Sequence, residues 1–134
     1  MADRRILLVE NDLILAWDLT EALESEGYAV RAVRTVAAAV PAADSWQPHL
    51  AIVDENAGSC TLTEAAALRA AVQGAVIRLG ATQRLQRDEW AFAEVIGKPF
   101  LESELLAKLT HEFNRSRDLW VPYQDAAALV DVVA

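Results

Sequence analysis

Three charged side chains in this sequence each come at, or one residue beyond, the end of a short apolar run. The runs and the residues that follow them are Ile6 to Val9 before Glu10, Leu50 to Val53 before Asp54, and Val95 to Ile96 before Lys98. Short apolar runs of this kind are typical of strands buried in a parallel sheet. Because parallel strands end at the same edge of a sheet, we expect the three charged groups to share one pocket.

The chemistry of such a pocket follows from its charges. Clustered carboxylates repel one another and favour a cation, and hard oxygen ligands suit Mg²⁺. A carboxylate beside Mg²⁺ and an ammonium group can attack phosphorus to give an aspartyl phosphate. Each acid alone is equally well explained as a helix cap, whereas the three charged residues together, in this order, favour a shared cation and phosphate site.

Composition restricts the class of protein. The 134 residues suit one domain, and 54% apolar with 24% charged residues is a globular composition. Twelve Lys and Arg against twenty Asp and Glu give a net charge of −8, which argues against direct nucleic-acid binding.

Cysteine content and apolar runs predict the compartment. Cys60 is the only cysteine, which excludes an internal disulfide and a cysteine-based zinc site. The apolar run at Ile6 to Val9 is interrupted by Glu10 and is too short for a signal peptide, and no stretch is long enough to span a membrane. We therefore expect a soluble cytoplasmic protein without a membrane partner.

Short apolar runs alternate with segments of helical periodicity along the chain. Strands are predicted at 6–9, 28–32, 50–54, 75–79 and 95–96, and helices at 13–26, 36–43, 63–71, 81–93 and 103–113. Asp12 and Thr35 are the expected caps of the first two helices, and Pro41 predicts a kink or an early end in the second. In the fourth predicted helix, Trp90 and Phe92 are expected to pack inward.

This alternation predicts βαβ units and an α/β fold. Right-handed crossovers and five strands favour a flavodoxin-like doubly wound parallel sheet in the order 2-1-3-4-5, with helices on both faces. We assign residues 1–117 to this domain. Residues 118–134 form an apolar tail, with one short helix as an option, that is expected to pack on the domain or on a partner.

An acid cluster after strand one, a lone Asp after strand three and Lys98-Pro99 after strand five resemble the receiver domain of two-component response regulators. The resemblance covers roughly residues 4 to 115. It implies that Asp54 accepts a phosphoryl group from a sensor histidine kinase and that Lys98 contacts that group. It also implies Mg²⁺ ligation by Glu10, Asp54 and the backbone carbonyl of Asn56, and a cis peptide bond before Pro99.

Three positions depart from the family pattern. The second acidic position, normally a direct metal ligand, is Asn11, whose amide can still coordinate the metal or hydrogen-bond but lacks the charge. The affinity for Mg²⁺ should therefore be weakened, and Asp12 is more suited to capping. The hydroxyl expected after strand four is replaced by Gly80, and Thr82 could substitute only after a loop rearrangement. The aromatic switch residue of strand five is replaced by Val95.

Two functions therefore remain open. One is a stand-alone, atypical receiver that accepts phosphate and signals by protein–protein interaction, with at most self-catalysed phosphotransfer and dephosphorylation as enzymatic activity. The alternative is a degenerate pseudo-receiver that binds proteins independently of phosphorylation. Flavin binding is disfavoured because the loop after strand one is anionic.

The expected partners are a sensor histidine kinase or phosphotransfer protein and a downstream protein, with homodimerisation possible. Residues 81–93, the fifth strand and the last helix are the expected partner surface. No DNA-binding domain is expected after residue 117, because only seventeen residues remain. Trp17 and Trp46 are interpreted as packing residues, and His49 and His111 as surface or packing residues.

Overall fold

The computed structural model describes residues 4–57, 60–80 and 94–116. The strands are β1 (Arg5–Val9), β2 (Ala29–Val33), β3 (Leu50–Asp54), β4 (Val76–Leu79) and β5 (Glu94–Ile96). The helices are α1 (Leu13–Ser25), α2 (Val36–Trp46), α3 (Leu62–Ala71) and α4 (Glu102–Ser116), and Glu55–Ala57 forms a 3₁₀ turn after β3. The helix predicted at 81–93, with Trp90 and Phe92, and the tail at 118–134 lie outside the described residues.

The five strands form one parallel sheet in the order β2-β1-β3-β4-β5, which confirms the predicted topology. Val9 is the register partner of Val53, and Asp54 is the partner of Leu79. The carboxyl ends of β1, β3 and β4 therefore lie side by side. Residues that follow these strands emerge at one edge of the sheet.

The sheet is covered on both faces, which explains why residues 6–9 of β1 and 50–53 of β3 are all apolar. One core cluster joins the face of β1 and β3 that carries Ile6, Leu8 and Ile52 to helices α1 and α4. The other joins the opposite face, with Leu7 and Val53, to helices α2 and α3. A strand buried on both faces shows no alternation of apolar and polar residues.

The first helix begins and ends where the sequence indicates. The Asp12 carboxylate accepts hydrogen bonds from the backbone N–H groups of Ile14 (3.0 Å) and Leu15 (3.2 Å), so it caps α1 as expected. Gly27 follows the helix with φ +93°, a conformation that disfavours side chains with a Cβ. Within the described ranges, no helix is long and apolar enough to cross a membrane.

Of the kink or early end expected at Pro41, the early end is wrong, and the packing expected of Trp17 is wrong as well. Helix α2 does not end early at Pro41 but continues to Trp46, because Ala39 and Ala43 on either side of the proline are fully buried in the core. That packing outweighs the hydrogen bond that proline cannot donate. Trp17 does not pack inward: 65% of its surface is exposed on α1, next to the exposed side chains of Leu13 and Ile14.

Candidate functional site

Asp54 is the last residue of β3, and its side chain is fully buried. Its Oδ2 atom accepts a hydrogen bond from the backbone N–H of Asn56 at 3.0 Å, and its Oδ1 atom forms an ion pair with the ammonium group of Lys98. Lys98 keeps 27% of its side chain exposed. The pair therefore places a carboxylate below the surface and its counter-charge at the surface.

Glu10 follows β1 and is also buried. Its backbone N–H donates to the carbonyl of Val33 at 2.9 Å, and its Oε1 atom accepts from the backbone N–H of Asp12 at 3.0 Å. Within the described residues, no hydrogen-bond donor reaches Oε2. Glu10 thus presents one buried oxygen that suits a cation.

The electrostatics of Glu10 follow from this burial. Loss of solvation raises the pKa of the Glu10 carboxyl above its ordinary value, and the charge of Asp54 raises it further. The Asp12 N–H and the Lys98 ammonium oppose these effects only in part. A cation placed between the two carboxylates would relieve their repulsion.

Asn11 and Asn56 connect the loops after β1 and β3. The side-chain amide of Asn11 donates a hydrogen bond to the backbone carbonyl of Asn56 at 3.3 Å, and both residues are exposed. The Asn56 carbonyl is the oxygen expected to ligate a metal. It therefore lies beside the Asn11 amide.

Hydrogen bonds beyond the strand ends position Lys98. The backbone N–H of Gly80 donates to the carbonyl of Ile96 at 3.0 Å, and the backbone N–H of Lys98 donates to the carbonyl of Gly80 at 3.3 Å. The Lys98–Pro99 peptide bond is cis, as the resemblance implies. Val95 is half-buried in β5, where it pairs with Arg78.

Glu55 was not anticipated from the sequence. Its side chain lies against Gly80: a Cβ atom placed on Gly80 would be 2.5 Å from Oε2 of Glu55 and 2.8 Å from both its Cβ and Cδ. The available signal was Gly80 itself, since a glycine after a buried strand often marks a close approach. The sequence could not identify the group that approaches.

The oxygen atoms at this edge of the sheet suit a magnesium site. Among the residues that the structure describes, no three His, Cys, Asp or Glu side chains are grouped to hold a metal. Mg²⁺, however, commonly uses only one or two carboxylates together with water. Glu10 with its unpartnered Oε2, Asp54 and the Asn56 carbonyl fit that requirement, and Asn11 supplies an amide in place of a third charge.

The structure thus brings Glu10, Asn11, Asp54, Asn56 and Lys98 to one edge of the sheet, with Gly80 beside them. The histidines lie elsewhere, as expected. His49 is buried before β3 and its Nδ1 atom accepts the backbone N–H of Arg5 at 2.9 Å, and His111 is exposed on α4. Thr82 lies outside the described residues.

No family model matches this chain, and no curated protein matches it. Several solved structures match this chain. A CheY-like response regulator receiver domain from Methanospirillum hungatei is 20% identical, with 89% of this chain and 100% of that one covered and a TM-score of 0.73. The receiver domain of a sensor histidine kinase from Pseudomonas aeruginosa, described with magnesium in its active-site cleft, is 23% identical, with 84% and 99% covered and a TM-score of 0.72.

A further structure belongs to a family of streptococcal redox sensors described as having evolved from two-component response regulators. It is 29% identical with a TM-score of 0.71, and 87% of this chain matches 53% of that one. This chain therefore spans about half the length of that protein. Together with the sheet order, these similarities show that the chain has the fold of response-regulator receiver domains.

Proposed function

We propose that this chain is a phosphoryl-accepting switch of two-component signalling, with Asp54 as the acceptor. The observation that carries the proposal is the ion pair between the buried Asp54 carboxylate and the Lys98 ammonium group at the carboxyl edge of the sheet. The receiver fold of the chain supports the same function. Its signal would be transmitted by binding to another protein, in the cytoplasm.

The proposed transfer needs few groups. A carboxylate oxygen of Asp54 attacks the phosphorus of a phosphohistidine, the phosphorus–nitrogen bond breaks, and its electron pair returns to the leaving imidazole. The ammonium group of Lys98 neutralises charge on the phosphoryl oxygens. Mg²⁺, held by Glu10, Asp54 and the carbonyl of Asn56, would supply further positive charge there.

The donor is proposed to be a sensor histidine kinase or a phosphotransfer protein. Exposed Leu13, Ile14 and Trp17 begin one residue after Asp12, at the edge of the sheet that carries the site. Apolar side chains in this position favour contact with a protein rather than with a small soluble donor alone.

A phosphorylation-independent binding module is the second candidate. Its support is specific: Asn11 lacks the charge of a metal-binding acid, Gly80 lacks a hydroxyl, and Val95 lacks an aromatic ring. The streptococcal redox sensors show that a receiver-derived chain can carry another function. The two candidates differ in whether Asp54 accepts phosphate.

The deciding experiment is labelling with acetyl phosphate and Mg²⁺, read by intact mass, in wild type, Asp54→Asn and Asp12→Asn. Asp12 lies at the same edge, and asparagine retains its capping oxygen, so Asp12→Asn is a matched control. We expect one added phosphoryl group on wild type and Asp12→Asn, and none on Asp54→Asn.

Amide NMR with beryllofluoride provides the second readout, with shifts expected around Glu10, Asp54 and Lys98. Phosphate retained by Asp54→Asn would place the acceptor elsewhere. Neither labelling nor shifts in a folded wild-type protein would favour the binding module.

A further inference from the structure

A groove runs between the first helix and β2, the strand at one edge of the sheet. Its apolar lining includes Leu13, Ala16 and Trp17 of α1 and Ala32 of β2. Leu13 and Trp17 are 64% and 65% exposed, and Ala32 is exposed as well. The groove has a volume of about 370 Å³, against about 30 Å³ for a water molecule, so it has room for whole side chains.

Glu21 and Glu24 line the same groove and form its acidic rim, and both are exposed. Neither carboxylate forms an ion pair with a basic side chain in the part of the chain that the structure describes. The sequence of α1 contains no Lys or Arg. The two carboxylates are three positions apart and repel each other, and the helix dipole disfavours a negative charge in the last turn, where Glu24 lies. The acidic rim is therefore better stabilised by an external cation than by its own helix.

The groove lies on the flank of α1 that faces β2. Ile14, one position from Leu13, is turned about 100° away from that flank by the helical repeat. Because α1 leads from the carboxyl end of β1 to the amino end of β2, the groove follows it for about 16 Å from Leu13 to Glu24, away from the edge that carries Asp54. A partner seated along the groove therefore makes most of its contacts apart from the phosphoryl site.

We propose that this groove binds a basic amphipathic helix of a second protein, in a contact that does not depend on phosphorylation of Asp54. Apolar side chains of such a helix fill the groove beside Trp17, and Lys or Arg side chains next to them pair with the acidic rim. The inference goes beyond the proposed phosphoryl-accepting function and holds whether or not Asp54 accepts phosphate.

Charge distinguishes this partner from other occupants of the groove. The tail, residues 118–134, contains three Asp and no Lys or Arg, so the acidic rim repels it. A second copy of the chain carries a net charge of −8 and meets the same repulsion. Nucleic acids and anionic membrane surfaces are negative too. A basic protein segment combines the apolar and the positive groups that the groove requires.

The test is the binding of two fluorescent helical peptides to the full chain, measured by anisotropy. Both peptides are about 18 residues long with Leu at helical spacing, and the remaining positions are Lys in one and Glu in the other. We expect a Kd of about 10 to 50 μM for the Leu/Lys peptide and a Kd at least about tenfold higher for the Leu/Glu peptide. No binding of the Leu/Lys peptide to the folded wild-type chain would overturn the proposal.

Two single variants test the apolar part of the contact. Trp17→Ala removes the ring that lines the groove, and Ile14→Ala truncates a similarly exposed side chain outside it. We expect Trp17→Ala to raise the Kd for the Leu/Lys peptide about tenfold and Ile14→Ala to change it less than about twofold. Equal effects of the two truncations would show that the peptide does not lie in the groove.

Two double variants test the charges. Glu21→Gln/Glu24→Gln removes the acidic rim, and Asp18→Asn/Asp44→Asn removes two exposed charges that do not line the groove. The first should weaken binding about tenfold and the second less than about twofold. Equal weakening by both would mean a general attraction between a basic peptide and an acidic protein, and would overturn the proposal.

Further measurements separate this inference from the proposed function and from the other occupants. Asp54→Asn should bind the Leu/Lys peptide with the wild-type Kd even though it accepts no phosphate, and a Kd changed by about tenfold would contradict independence from the phosphoryl site. Peptide binding that tightens when Leu119 and Trp120 in the tail are replaced by Ser would assign the groove to the tail. Self-association in sedimentation velocity that the peptide reverses would assign it to a second copy. Either result would overturn the proposal.

Discussion

The ammonium group of Lys98 forms an ion pair with Oδ1 of Asp54, a carboxylate without exposed surface. The pair links the end of β3 to the residues that follow β5, across β4. It leaves Lys98 partly exposed, so a negative group arriving from solvent meets the ammonium before it meets the carboxylate. The buried carboxylate is therefore neutralised by a charge that remains accessible to solvent.

Removing Lys98 should destabilise the fold by leaving Asp54 buried without its counter-charge. Lys98→Met keeps most of the aliphatic stem and should lower the free energy of unfolding by about 2 kcal/mol, less than for a fully buried pair. The double variant Asp54→Asn/Lys98→Met should recover at least half of that loss. Urea unfolding at neutral pH measures both, and a double variant as unstable as Lys98→Met would contradict the account.

The free energy of unfolding of the metal-free protein should fall as the pH rises, because of the titration of Glu10. The folded-state pKa of Glu10 is raised, first by burial and then by the charge of Asp54, above its ordinary value of 4.5. Between these two pKa values the folded state holds a proton that the unfolded state has lost. The stability contributed by this group is therefore full below the unfolded pKa and is lost as the pH rises through the folded pKa.

The check is Glu10→Gln, which cannot titrate and keeps an oxygen for the Asp12 N–H. With EDTA present, the variant should gain stability over wild type as the pH rises from about 4 to about 7. Glu24→Gln controls for the loss of one exposed acidic charge. A difference between Glu10→Gln and wild type that does not change with pH would show that Glu10 does not titrate in this range.

Asn11→Asp should tighten magnesium binding. The change removes an amide that donates to the Asn56 carbonyl and adds a third carboxylate at the site. A further ionic ligand should lower the Kd for Mg²⁺ by about tenfold. Titration calorimetry measures the Kd, and Asn11→Ala, which loses the same hydrogen bond without gaining charge, is the control. An equal Kd for wild type and Asn11→Asp would mean that position 11 does not face the metal.

Two apolar residues of α1 should respond differently to truncation. Leu19 is 6% exposed and lies in the core between α1 and the sheet, whereas Trp17 is 65% exposed. Leu19→Ala should cost about 2 to 4 kcal/mol of unfolding free energy, and Trp17→Ala less than about 0.5 kcal/mol. Thermal or urea unfolding tests this, and a large loss for Trp17→Ala would show that its ring packs against the domain.

Local patterns were sufficient for the fold. The apolar runs of β1 and β3 are buried on both faces of the sheet. Because both faces of such a strand must be apolar, the strand is recognisable in the sequence as a continuous apolar run. The alternation of strands and helices then restricted the topology to one parallel order. Among the helices that the structure describes, the end of α2 was mispredicted, because the burial of Ala39 and Ala43 around Pro41 depends on a partner surface that lies far away in the sequence.

The placement of the charged groups could also be anticipated from the sequence. Glu10, Asp54 and Lys98 each follow a strand, and parallel strands end at one edge. The burial of Glu10, which raises its pKa, could not be anticipated from the sequence, and neither could the hydrogen bond from Asn11 to Asn56. Both depend on contacts between loops that are far apart along the chain.

The sequence by itself thus determined which strands form the sheet and which charged residues share its edge, since both follow from local apolar periodicity and chain direction. Only the tertiary structure decided what fills the space around them. The Glu55 side chain against Gly80 and the exposed ring of Trp17 depend on distances between elements. Such distances are set by the packing of the whole domain, and they leave no periodic signal in the sequence.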